Sequence, residues 1–574
     1  MKKSKASAPP AHKDSTQRAL PLAFLTAAVA FAVYARTLSF GFVFDDIENI
    51  LNNPVVLKFQ PSQSWQLFLQ PSRALTTMSY CINHYIFGFE PAAFHSVNVL
   101  IHVVNSVLVF GIAFFVAKRW LPTDKVAIFS AAAGMIFALH PLQSEAVVYV
   151  YGRSSSICAL FYLGSLLMML VGLSSPGHRR FFWFICAAVA AVLAWKAKEE
   201  AITLPLVAAG ILALISLWRA ACCLALVPFV LVAAKWRLLL QEHAILSENR
   251  ELVAGGLAPA LEPLTYFLTS LKASVCYLLK LYVFPVGQCA DVYVKPVSGF
   301  WDPSLLIAVI VLGVLAALGY GMRSDRLLLF GLLALLISPL TSYSLMPLAD
   351  VVAEHRIYIA GLGFSVVAAW ALVRLPRYRG AALVGVVVIL GSLTWMREAV
   401  WADSLALWKD AVDKSPELAR PHLNLGMAYQ AAGNDEQALT EYRSALNLNP
   451  RLAPAYVDIA GIYFNRNDLQ SSEAALRMAM ALSPAMPSPY VNLAQIAMKK
   501  NRPEEAIQIL DQAPVGNISY LCHLAKGDAY AQLGRYSEAV VEYQEAVRLR
   551  PDLNQVAELV KERLSRLRSL GAIH

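Results

Sequence analysis

Apolar and polar positions are distributed along this chain in two different ways. Up to about residue 397, long stretches carry few or no charges; from about Pro416 onward, Lys, Arg, Asp and Glu recur every few residues. Crossing a bilayer takes about 20 mainly apolar residues. Runs of that kind centre near residues 27, 105, 132, 160, 188, 208, 228, 311, 333, 364 and 388, which predicts about eleven spans. A further apolar stretch, Leu264 to Val286, is interrupted by Lys272 and Lys280. Charges at mid-span are costly unless they snorkel or line a cavity, so this stretch is expected along the interface.

The polar part has a period. Pro416, Pro450 and Pro484 are spaced 34 residues apart, and Pro551 lies 67 beyond Pro484. A 34-residue period with small residues where two helices cross is the tetratricopeptide signature. The first full repeat supplies Leu425, Gly426, Tyr429, Ala438, Tyr442, Ala445 and Pro450, and the last supplies Gly527, Tyr530, Ala539, Tyr543, Ala546 and Pro551. The two central repeats are looser. Trp401 to Ser415 resembles the second helix of a preceding repeat, and Asp552 to Arg568 reads as a polar capping helix. The expected organisation is a tail over 1–18, a transmembrane domain over 19–397 and a repeat domain over 398–574, all α-helical. Such arrays present a concave face suited to an extended peptide or partner protein, or to a second copy of the chain.

Composition sharpens this. The 574 residues are 57% hydrophobic and 15% charged, with a mean hydropathy of +0.52. A soluble domain carries about a quarter charged residues, so an aqueous home for the whole chain is excluded. The net charge of +9 sits largely in short segments beside apolar runs, such as Lys118-Arg119, His178-Arg179-Arg180 and Arg374 to Arg379. That is the pattern of cytoplasmic flanks rather than a nucleic-acid footprint. With a cytoplasmic N-terminus and about eleven spans, the repeats emerge on the far side; Arg323 to Arg326 and Arg374 to Arg379 fit the cytoplasm only in that arrangement. The first run, Ala19 to Ala35, leads into Arg36-Thr37-Leu38 rather than a small-residue cleavage site, so it reads as an uncleaved span. The 8 cysteines are scattered without a CxxC. Buried thiols are expected, with Cys276 and Cys289 the pair that could join outside the cytoplasm.

Candidate chemistry lies beside the first span, in Phe44-Asp45-Asp46. Adjacent carboxylates there should face water or a pocket, as a catalytic pair or as a solvated turn or helix cap. Further polar groups follow: Arg73-Ala74-Leu75-Thr76, His140-Pro141 with Glu145, Gly152-Arg153, Lys198-Glu199, and Glu354-His355-Arg356 with Tyr358. The Asp pair and the clusters around His140, Lys198 and Glu354 fall at outer helix ends, where they could converge on one outward-facing pocket. His95, Asn98 and His102 share one helical face and read as a polar seam rather than a metal site. No Walker loop or dinucleotide fingerprint is present.

These motifs, in this order and followed by tetratricopeptide repeats, resemble the TMTC family of transmembrane and tetratricopeptide-repeat protein O-mannosyltransferases of the GT-C fold, and a bacterial relative in particular. The family usually has Glu-Arg before the last aromatic; here His355 stands between Glu354 and Arg356, so either His355 or Arg356 takes the basic role. The resemblance implies transfer of a sugar, mannose in the family, from a polyprenyl-phosphate monosaccharide to Ser or Thr of proteins outside the cytoplasm, with inversion and the repeats binding the acceptor. It implies Asp45 as general base with Asp46 shaping its surroundings, and Arg153, Lys198 and Arg356 as phosphate ligands. Arg73, His140, Glu145, Glu199, Glu354, His355 and Tyr358 would line the sugar or acceptor pocket. No divalent ion and no other cofactor is expected. The location implied is a bacterial inner membrane with site and repeats in the periplasm, or an endoplasmic reticulum membrane with lumenal repeats. Two other readings compete: a membrane-anchored scaffold whose repeats assemble a complex, and a transferase acting on a lipid or glycan.

Overall fold

The computed structural model describes residues 12–70, 73–231, 262–342, 350–375, 377–513, 519–550 and 554–569. Most of the N-terminal tail and Pro551 lie outside the described residues. Among the described residues every regular element is helical, as the pattern predicts. The residues group into two compact units that divide inside the helix Ser404–Lys414, between Asp410 and Ala411.

In the first unit each predicted apolar centre falls in a helix, but the helices differ in length. Among the described residues six are long and apolar enough to cross a membrane: Gln17–Ser39, Pro91–Trp120, Arg153–Ser174, Gly177–Ala197, Pro303–Gly321 and Arg379–Trp401. A seventh is added if the pair Thr123–Leu139 and Pro141–Val148, bent by 52°, counts as one span. Thus fewer helices meet the full length than the eleven expected centres. Leu204–Leu214, Trp218–Leu231, Arg326–Thr341 and Gly361–Leu372 are shorter. Pro205 opens the first of these straight from the 3-10 turn Glu199–Thr203, since a proline fits the first turn of a helix but not its interior. Leu264 to Val286 is helical over Pro263–Val283 with a π-helical turn at its centre, and Lys272 is buried with its ammonium donating to the Lys295 carbonyl.

Burial shows which helices face lipid. Arg153–Ser174 is largely enclosed, whereas Pro303–Gly321 and Arg379–Trp401 leave Ile307, Ile310, Val314, Val384, Val388 and Ile389 exposed. In water such faces would be unstable, whereas in hydrocarbon a helix with all its backbone bonds made internally is the stable spanning form. Basic flanks gather at one end of the bundle: Arg379 pairs with Asp124, Arg374 with Asp325, and Trp120, Arg326 and Arg374 line one cavity of about 310 Å³. The candidate chemistry lies at the other ends of the same helices.

The second unit is a tetratricopeptide solenoid. Its helix pairs are Ala419–Ala431 with Asp435–Leu448, Ala453–Asn465 with Leu469–Leu482, Pro487–Lys499 with Pro503–Asp511, and Tyr520–Gln532 with Tyr536–Leu549, followed by Asn554–Ser569. A Cβ on Gly426 would meet the Tyr442 ring at 2.5 Å, and Gly527 meets Tyr543 in the same way, so these glycines let the paired helices close. The looser third repeat has a second helix of 9 residues against 14 in the others.

No disulfide joins Cys276 and Cys289: Cys276 is partly exposed, and Cys289 is buried with its thiol reaching the Asp291 carbonyl.

Candidate functional site

The first span ends in the 3-10 turn Ala35–Ser39, and the chain continues extended from Phe40. It then folds tightly at Val43–Asp46, where the Asp46 amide donates to the Val43 carbonyl (3.1 Å). The Asp46 side chain closes the same turn, as short acidic side chains do: its Oδ2 accepts from the Val43 amide at 3.1 Å. Its Oδ1 accepts from the Tyr151 amide at 2.7 Å. Asp46 is fully buried, so it fastens the loop after the first span to the turn 149–152. That turn is itself tight, because a Cβ on Gly152 would meet the Glu145 carbonyl at 2.8 Å. Asp45, by contrast, is only half-buried. The carbonyl of Asp45 accepts from the Asn49 amide and side chain at 2.9 and 3.2 Å, and Tyr149 lies within electrostatic reach of both carboxylates. Phe44 precedes the pair with a φ of +55°, a left-handed conformation that costs a bulky residue about 1–2 kcal/mol.

Burial pushes the Asp46 carboxyl up to about 7, against the pull of the bonds from Val43 and Tyr151. The folded loop therefore holds this proton more tightly than the unfolded chain does. The stability so gained is complete below the ordinary value of 3.8 and is lost as pH rises through about 7, because folding then requires an ionised buried group. The thermal unfolding midpoint of the detergent-solubilised chain is expected to fall from about pH 5 to about pH 8 more steeply in the parent than in Asp46→Asn. Parallel slopes would contradict this.

Lys198 follows the helix Gly177–Ala197 in an extended conformation. Its ammonium lies 2.7 Å from the Ser155 hydroxyl and 2.5 Å from Glu200 Oε1, and both charged side chains are 6% exposed. The sequence draws attention to Glu199, but the 3-10 turn Glu199–Thr203 sends Glu200 inward to Lys198 and leaves Glu199 outside. Glu199 sits 3.7 Å from Arg73 Nε, with exposures of 57% and 42%. Arg73 has a φ of +52° and donates from Nη1 to the Tyr151 hydroxyl at 3.2 Å. Arg73, Tyr151 and Glu199 thus form an open rim beside the Asp45 turn.

The third contribution comes from 350–358. Nδ1 of His355 lies 2.6 Å from Glu145 Oε1, with His355 21% exposed. Burial, together with Lys198 and Arg356 nearby, holds the imidazole pKa well below its ordinary value, so it is neutral near pH 7. Arg356 is half-buried and donates from Nη1 to the Asp350 carbonyl at 2.9 Å. Lys198, Arg356 and Arg397 all lie within electrostatic reach of Glu145. Glu354 points inward: its Oε1 accepts from the Tyr277 hydroxyl (2.7 Å) and the Cys289 amide (2.9 Å), and Arg397 lies 4.0 Å from its Oε2. The step between Glu354 and Arg356 therefore has a structural reading: His355 meets the Glu145 carboxylate, and Arg356 is the half-buried cation of the motif.

Three of the residues singled out from sequence lie elsewhere. Tyr358 is fully buried and joins a polar seam, with its hydroxyl 2.7 Å from His102 Nδ1 and 3.2 Å from Asn105 Nδ2. The predicted seam of His95, Asn98 and His102 continues through the Gly41, Val147 and Ala138 carbonyls. His140 is buried and caps the turn 141–143, its Nδ1 accepting from the Leu142 amide, while Nε2 meets the Tyr282 carbonyl at 3.1 Å. Arg153 is fully enclosed. Its Nε donates to Asn98 Oδ1 (2.6 Å), Nη2 to Asn83 Oδ1 (3.2 Å) and the Phe94 carbonyl (2.8 Å), and Nη1 to the Ser79 hydroxyl (3.3 Å) and carbonyl (3.5 Å). Such a guanidinium braces helices and has no donor left for a ligand. Glu200 and Tyr151 stand in the Lys198 and Arg153 clusters of the sequence but carry no assigned role there, and Tyr277 and Arg397 lie outside those clusters; for Arg397 the visible signal is the charged pair Arg397-Glu398 at the close of an apolar run.

The arrangement offers one half-exposed carboxylate, a rim of Arg73 and Tyr151, and buried or half-buried cations around Glu145. A carboxylate so placed can take a proton from a hydroxyl, and the cations can hold a phosphate.

Comparisons with known proteins agree with both halves of the chain. The tetratricopeptide repeat-like domain family matches residues 453–569, and the tetratricopeptide repeat family matches 419–452. Mouse protein O-mannosyl-transferase TMTC4 is 26% identical over 491 residues, covering 72% of this chain and 65% of the relative. The human protein of the same name is 27% identical over 498 residues, with 72% and 64% covered. Human TMTC2 is 32% identical over 199 residues, 32% of this chain and 23% of the relative. The chain thus spans about two thirds of the length of the first two relatives. Among solved structures, ArnT of Cupriavidus metallidurans bound to undecaprenyl phosphate has a TM-score of 0.36 at 15% identity, covering 85% of this chain and 79% of that one.

Proposed function

We propose that this TMTC-like, multi-pass membrane protein is a glycosyltransferase that moves a sugar from a polyprenyl-phosphate monosaccharide to Ser or Thr of a protein, on the non-cytoplasmic face. The observation that carries the reading is the pairing of unequal aspartates: Asp46 is buried and bonded to backbone through both oxygens, and its neighbour Asp45 stands half-exposed on the same turn, while Arg73 reaches Tyr151 and Lys198 and Arg356 gather around Glu145. The names of the relatives, protein O-mannosyl-transferases, support the class of reaction.

In this mechanism Asp45 takes the proton of the acceptor hydroxyl as its oxygen attacks the anomeric carbon. The C–O bond to the lipid phosphate breaks on the opposite face, so the sugar carbon inverts, and the phosphate leaves with both electrons of that bond. Arg356 and Lys198, with Arg73 at the rim, stabilise the charge that builds on the departing phosphate. Arg153 is not assigned to this step. The repeats hold the acceptor polypeptide in their concave face. The gathering of basic flanks at the far end of the bundle supports placing that end in the cytoplasm and the site outside.

The test supplies membranes containing the intact chain with radiolabelled polyprenyl-phosphate mannose and with other polyprenyl-phosphate sugars. Label is expected in protein, alkali-labile or released by an O-glycosidase. Label confined to lipid or glycan would replace the protein acceptor. No transfer from any donor, with partners still captured by the repeats, would favour a scaffold.

A further inference from the structure

Phe44 keeps a backbone conformation that its side chain disfavours, and it stands immediately before Asp45. What holds it there is aromatic. Its ring stacks on Tyr149, with centroids 5.7 Å apart and planes at 22°, and meets Trp408 edge-on at 4.9 Å and 87°. Trp401 covers the next ring, stacking on Tyr149 at 5.3 Å. Both tryptophans are buried. Two residues beyond Trp408, Asp410 Oδ2 accepts from Arg397 Nη1 at 3.0 Å, and the other Nη of Arg397 lies 4.0 Å from Glu354. The segment Trp401–Asp410 therefore touches the surroundings of Asp45 on one side and of His355 and Arg356 on the other.

We infer that the first two turns of the helix Ser404–Lys414 are a positioning element of the site, in which Trp408, seated edge-on against Phe44, holds the strained turn that aims Asp45. An edge-to-face ring contact is of the same order as the cost of a left-handed Phe. Without the contact, the Tyr149 stack and the Asp46 bonds to Val43 and Tyr151 bear the strain alone and the turn loosens. Trp408 touches no substrate in this account, and its role rests on Asp45 being the base.

Two readouts on the full chain test it. In Trp408→Ala, kcat for sugar transfer is expected to fall by about 10- to 100-fold through misplacement of Asp45, with KM for the lipid donor little changed. Trp408→Phe, which keeps a ring edge, should retain most of the rate. Hydrogen exchange needs no activity. In the Ala variant the amides of Val43 and Tyr151, both bonded to Asp46, should exchange about 10-fold faster, while those of Pro91–Trp120 stay protected. If Trp408→Ala fails to accumulate, Trp408→Leu keeps bulk without the edge contact and should give the same exchange result. Unchanged exchange in the variant that folds overturns the inference, whether or not transfer is found. Failure of the parent chain to transfer any sugar overturns the proposed reaction, and the exchange result still decides what Trp408 does.

Discussion

Asp45→Asn is expected to lower sugar transfer by roughly 10²- to 10⁴-fold while leaving the protein folded. The asymmetry between the two aspartates is the reason. Asn at position 45 is close in shape, keeps the backbone bonds from Asn49 to the residue 45 carbonyl, and removes only the group able to accept a proton. The same change at Asp46 falls on a buried side chain whose two oxygens each accept a backbone N–H. There it should loosen the loop as well as slow the reaction. Initial rates at saturating donor, with circular dichroism melting as the control, separate the two. Equal rates in the parent and Asp45→Asn would take Asp45 out of the chemistry.

The second large effect is on stability. Arg153→Lys should destabilise the membrane unit by about 3–5 kcal/mol, the cost of breaking a buried charged network. A lysine retains the charge but has one nitrogen, and it cannot reach Asn98, Asn83, Ser79 and the Phe94 carbonyl together. Those buried acceptors would lose their donors. The loss should appear as poor accumulation and a lower unfolding midpoint. Whatever folds should have a donor KM near that of the parent. A stable variant with a raised KM would instead put Arg153 at the phosphate.

The division of the chain and the repeats were legible because each rests on a long-range regularity. Apolar runs and a 34-residue spacing survive any local irregularity. Gly426 and Tyr442 belonged to that pattern and meet as it implies. The site was legible only in part. Its residues arrive from five separate segments, around Asp45, Arg73, Tyr151, Lys198 and Arg356, and a motif says that a polar residue stands at a helix end without saying which way it turns. Glu199 and Glu200 are neighbours, and a 3-10 turn decides which one meets Lys198. Arg153 looks like a phosphate ligand until Asn83 and Asn98 are seen around it. The angle at Phe44 leaves no mark in composition at all.

The helix Ser404–Lys414 has a practical meaning for any exchange of repeat arrays between relatives. A graft joined directly after Glu398, where the apolar run gives out, would discard Trp401, Trp408 and Asp410 along with the old repeats. A graft joined after Lys414 keeps all three with the membrane unit. Under the proposed reaction, recombination at the second seam would change what the array meets without disturbing the surroundings of Asp45, so acceptor choice and reaction chemistry would be free to evolve as separate traits.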